Sequence, residues 1–103
     1  MKYAIYQPKE INFIYKSKQL YSKDDYKLVY EGELNDEIAS QDTDWILERL
    51  FSIFNISRPA DFKGHSLSVN DIVVLDNNDE DGFSLKSGAY ICANLGWERT
   101  QLA

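Results

Sequence analysis

Apolar and polar residues alternate along "KYAIY", Lys2 to Tyr6, and again along "YKLVYEGEL", Tyr26 to Leu34. A period of two sends successive side chains to opposite faces, so both segments are expected strands, the first ending at Pro8. In the second, Tyr26, Leu28 and Tyr30 should share one face, with Lys27, Val29 and Glu31 on the other. The run "VNDIVVL" reads as a third strand, with Ile72 to Leu75 buried on one or both faces. "GAYICANLGW" reads as a return strand that runs into a glycine-containing bend.

The period changes at "DTDWILERLFSIFN", where Ile46, Leu47, Leu50, Phe51 and Phe54 recur at three- and four-residue spacing. That spacing predicts a helix over 43–54 with one wide apolar face. Asp42 or Thr43 can cap its free amides, and Asp44 lies where the helix dipole favours an anion. Asn55 suits a left-handed terminator, and Pro59 prevents continuation. Trp45 and Ile53 fall at the edges of the apolar face, where Trp45 could serve the core or anchor an interface. "INFIYKSKQLYSK" is ambiguous: Phe13 to Tyr15 could extend a strand, while Lys16 to Ser22 could form a short helix. "NDEIASQDT" and "DNNDEDG" read as a polar loop and a polar turn.

The expected fold is therefore α+β. A small antiparallel or mixed sheet is built from segments near 2–6, 26–33, 70–76 and 88–94, and one main helix packs on one face. No repeat or linker divides residues 1–103, so a single domain is expected. A chain of this length buries roughly 65% of its unfolded surface, enough for a core without metal or disulfide. Hydrophobic residues make up 44% of it, which argues against disorder.

The lone cysteine, Cys92, has no internal disulfide partner, which suits a reducing compartment. No signal peptide is visible, and the longest apolar run, "IVVL", is far short of the ~20 residues a membrane span needs. A cytoplasmic protein is the expectation.

Charge changes the picture further. Residues 1–30 carry six lysines and three acids, 6 − 3 = +3, whereas residues 31–103 carry five basic and fourteen acidic groups, 5 − 14 = −9. The acids cluster at Glu31, Glu33, Asp36 and Glu37, at Asp42 and Asp44, and at Asp76, Asp79, Glu80 and Asp81. Such a stretch repels phosphate, so direct nucleic-acid binding is not expected there. It can attract a basic surface, including one built to hold nucleic acid.

The sequence offers few catalytic constellations. "RPADFKGHSLSVNDIVVL" holds the only histidine, His65, with Ser66, Ser68, Asp61 and Asp71 nearby. A Ser-His-Asp relay needs three convergent side chains, and neighbours in an extended segment point in alternating directions. The favoured reading has Ser66, Ser68 and Asp71 bonding turn amides and His65 bonding backbone. One His and one Cys cannot make a zinc set. A calcium loop beginning at Asn77 would need a glutamate where Gly88 stands. Neither metal nor cofactor is expected.

The same segment carries a resemblance. Phe54, Asn55, Ile56, Arg58, Pro59, Asp61 to Phe62, Gly64 to Val69 and Asp71 to Val73 resemble the YodL-like domain family. "IYQ" near the start and "YKLVYEGEL" are also similar, so the likeness covers about two-thirds of the chain. The chain departs from the family where a Tyr-Tyr-Val-Asp pattern followed by Gly-Phe is replaced by "AYICANLGW". The resemblance implies a shared fold and a setting in mobile elements of Gram-positive bacteria. It does not imply a reaction.

Function is expected to be non-enzymatic binding of a protein partner, of counter-defence (anti-CRISPR) type. The acidic clusters, with Trp45 and Trp97, would occupy the groove of a nucleic-acid-directed nuclease such as a CRISPR effector. The alternatives are an accessory interaction domain of a conjugative element and a small hydrolase using His65.

Overall fold

The tyrosine-rich alternation at the N-terminus forms the second strand in the sheet order, not an edge. In the computed structural model, which describes residues 1–10, 21–76, 88–93 and 96–102, β1 spans Lys2–Pro8. A single 3-10 turn, Lys23–Asp25, is capped by Ser22 and leads into β2, Tyr26–Glu33. Two helices follow, α1 at Asp36–Ala39 and α2 at Thr43–Ile56. Then come β3 at Ile72–Asp76, β4 at Gly88–Ala93 and β5 at Gly96–Thr100. The sheet order is β2-β1-β3-β4-β5, and all four pairings are antiparallel.

This corrects the expected α+β fold with a small antiparallel or mixed sheet. Among the described residues the structure is sheet-dominated, 41% strand against 27% helix, with five strands and one main helix. The strand that the sequence pattern missed is β5. It reads "GWERT", and only Thr100 is buried, because an edge strand needs few apolar positions to stay paired. Strand β3 begins at Ile72 rather than 70, since Asn70 takes a left-handed φ of 84° that no strand residue adopts.

A bulge corrects the reading of β2. Ile5 pairs with Tyr30 but Tyr6 pairs with Leu28, so Val29 is an extra residue. Val29 and Tyr30 both pack toward the helix-side core, while Tyr26 packs in the cluster on the other face. Strict alternation had placed Tyr30 with Tyr26. The bulge resets the register, and Leu28 is left 47% exposed.

Helix α2 buries Ile46, Leu47, Leu50 and Phe54 on the sheet. There they meet Tyr3, Ile5, Val73, Leu75 and Tyr90. Phe54 is the aromatic hub, with Phe62 at 4.9 Å and Tyr30 at 5.1 Å between ring centroids. The opposite face carries a second cluster of Tyr21, Tyr26, Ile72, Ala89 and Ile91. The helix outruns its expected end: Asn55 stays helical, and the chain leaves the helix at Ser57. Asp42 holds the N-cap position through its carbonyl, which accepts from the Ile46 amide, without a side-chain cap bond. The expected polar loop contains α1, whose N-cap Asn35 accepts from the Ile38 amide at 2.9 Å.

Candidate functional site

Two places in the fold gather the residues that the sequence singled out. The first is the loop from Ser57 to Asp71 between α2 and β3, which contains "GHSLSVND". An irregular connection of this length holds many backbone groups that must find partners. Here four elements supply them. From α2, Asn55 accepts the Leu67 amide at 2.6 Å and donates to the Leu67 carbonyl at 3.3 Å. From β2, the Tyr26 hydroxyl donates to the Asn70 carbonyl at 3.0 Å. From β4, Cys92 exchanges backbone bonds with Asn70 and Asp71.

The fourth clamp is Gln7 of β1. Its Nε2 donates to the His65 carbonyl at 2.8 Å and to Asp71 Oδ2 at 3.0 Å, and its Oε1 accepts the His65 amide at 3.2 Å. The side chain is fully buried. Gly64 stands beside it because a Cβ there would collide with Gln7 Oε1. The motif glycine therefore makes room for a neighbouring amide. Sequence reasoning singled out neither residue for this role. The available signal was position: Tyr3, Ile5 and Gln7 are the inward members of β1, and an inward glutamine needs partners.

His65 is fixed by the same network. Both Gln7 Nε2 hydrogens are taken by the His65 carbonyl and Asp71, so the Nδ1 proton belongs to the bond with the Ser66 carbonyl at 2.8 Å. Asp71 does not orient the imidazole. Its Oδ2 accepts the Ser68 amide at 2.9 Å as well as Gln7. The His-Asp contact of a hydrolytic relay is thus replaced, among the described residues, by side-chain bonds to backbone.

Asp71 is 1% exposed, and its Oδ1 has no hydrogen-bond partner among the described residues. Burial pushes its carboxyl up from 3.8 to about 6, against the lowering effects of the Ser68 amide, Gln7 and His65. Burial likewise raises the Cys92 thiol to about 11, with the Asp71 charge adding to it, so Cys92 is not an activated thiolate. The cleft beside the loop, about 300 Å³, is bordered by Lys9, Glu10, Lys27, His65 and Ser68.

The second place is the acidic surface. Glu31 and Glu33 lie exposed on β2, an edge strand; Asp36 and Glu37 open α1; Asp42 and Asp44 flank the start of α2. Between Lys27 and Arg49 there is no basic residue and there are seven acidic ones, counting Glu48. Residues 28–48 thus carry −7, and the rest of the chain carries −6 − (−7) = +1. The whole acidic surplus sits in one stretch, and all seven carboxylates are exposed.

Trp45 stands among them, 46% exposed. Trp97 is elsewhere: it is half-buried on β5 and packs edge-on against Phe51 at 6.5 Å. Asp76 ends β3 opposite Lys2. Asp79, Glu80 and Asp81, residues 11–20 of the ambiguous stretch Ile11 to Lys23, and most of the calcium loop that would begin at Asn77 lie outside the described residues. Among the described residues no cluster of three or more His, Cys, Asp or Glu could hold a metal ion. None of the described helices is long and apolar enough to cross a membrane.

A family model described as YodL-like domain matches residues 2–98, and the chain belongs to that family. Neither a curated protein nor a solved structure matches it.

Proposed function

We propose that this YodL-like domain is a non-enzymatic, cytoplasmic binding protein whose acidic edge docks in a basic groove of a protein partner. The observation that supports it best is the concentration of the entire acidic surplus in residues 28–48, as exposed carboxylates on β2, α1 and the start of α2. Carboxylates spaced along an edge present a basic groove with the charge it would otherwise meet on phosphate. The partner class is a nucleic-acid-directed nuclease, and a counter-defence role against a CRISPR effector fits the mobile-element setting that the resemblance implies.

The loop around His65 holds the fold together in this reading and performs no chemistry. The test is a pull-down against effector nucleases with and without guide RNA, followed by DNA cleavage and a salt series. Binding should compete with nucleic acid and weaken steeply with salt, because exposed charges are screened within about 8–10 Å at physiological ionic strength. Reversing Glu31, Glu33, Asp36 and Glu37 to lysine should slow association more than it speeds dissociation. All four are exposed, so the variant should fold. Absence of binding or inhibition across the effector panel refutes the counter-defence role. Inhibition indifferent to salt and to the reversal refutes the acidic docking surface.

A further inference from the structure

Helix α2 spends one face on the core, yet its opposite face is apolar at both ends. At 100° per residue Trp45, Arg49, Ser52 and Ile56 fall within a sector of about 60°. Trp45 is 46% exposed and Ile56 81% exposed. They stand eleven positions apart, about 16 Å along the axis.

We propose that this face is where a second copy of the chain docks, α2 against α2, antiparallel and about a two-fold axis. The spacing makes the stripe its own complement. Residue numbers that face each other across such an axis have a constant sum, and 45 + 56 and 49 + 52 both equal 101. Each Trp45 therefore meets Ile56 of the second copy, and each Arg49 lies over a Ser52. Every contact occurs twice, as an isologous interface requires.

Charge favours the same arrangement. Asp42 and Asp44 are exposed at the start of α2, and Arg58 is exposed one residue beyond the C-cap Ser57. Antiparallel docking brings the two acids of one copy to the Arg58 of the other. A parallel arrangement would set Asp44 against Asp44 and Arg49 against Arg49. Each copy also carries −6 overall, which opposes association at long range. The dimer is accordingly a weak one.

Sedimentation velocity between about 10 µM and about 1 mM reads the equilibrium directly. The wild-type chain should pass from monomer to dimer over that range. Ile56→Asp should weaken association at least about tenfold while circular dichroism stays unchanged, since the side chain it alters is 81% exposed. Arg58→Glu should weaken it too, and adding Asp44→Lys to that variant should restore it. The lysine reversal of Glu31, Glu33, Asp36 and Glu37 should leave the dimer intact, so this inference and the proposed function fail separately. A chain monomeric at every concentration overturns the proposal. So does a dimer indifferent to Ile56→Asp, or one that the Arg58→Glu, Asp44→Lys pair does not recover.

Discussion

Replacing Asp71 with asparagine should remove a pH dependence from the stability of this protein. The folded carboxyl ionises near 6 while its unfolded counterpart ionises near 3.8, because the side chain is withdrawn from water. The folded state therefore holds this proton more tightly. The resulting stability is fully present below pH 3.8 and is lost as pH rises through about 6. A difference of 6 − 3.8 = 2.2 units corresponds to roughly 3 kcal/mol. Asparagine keeps an acceptor for the Ser68 amide and Gln7, and places its NH₂ where Oδ1 has no partner among the described residues. That buried donor costs about 1–3 kcal/mol, but equally at every pH, so it drops out of the comparison. Urea unfolding followed by tryptophan fluorescence from pH 4 to 8 gives both curves. The variant should gain roughly 2–2.5 kcal/mol on the wild type between pH 4 and pH 8, mostly between pH 4 and 6, the remainder of the roughly 3 kcal/mol lying below pH 4. Parallel curves would refute the argument, because every other titrating group is common to the two proteins.

Gly64→Ala should destabilise the fold by about 1–3 kcal/mol through its collision with Gln7, and Gln7→Ala should relieve part of it, giving a double-mutant cycle far from additive. Additive losses would mean that the two residues act separately. Leu50→Ala should cost about 2–5 kcal/mol, since Leu50 is fully buried under the sheet; an unchanged melting temperature would show that the helix face is misassigned. His65→Ala should lower stability without removing partner binding, because the ring bonds the Ser66 carbonyl and not Asp71. Loss of binding in a fully folded His65 variant would count against a structural role.

Local pattern carried much of the architecture. Period-two alternation marked β1 and β2, a run of branched apolar residues marked β3, "GAYICANLGW" read as the return strand that became β4, and three- and four-residue spacing marked α2 with Ile46, Leu47, Leu50 and Phe54 inward. These patterns survive because each element must bury one side, and burial leaves its period in the chain. The acidic clusters were equally legible, since charge is a property of composition. Other features depended on partners distant in sequence. Strand β5 has little apolar signal and exists because β4 offers it an edge. The bulge at Val29 appears only when β2 is laid against β1. Gln7 and His65 are 58 positions apart, so no local spacing could relate them, and Gly64 reveals its purpose only beside Gln7. The sequence by itself determined which residues would be apolar, charged or turn-forming. Tertiary structure decided which polar groups would meet, because hydrogen bonds are short and directional and their partners are chosen by the register of the sheet.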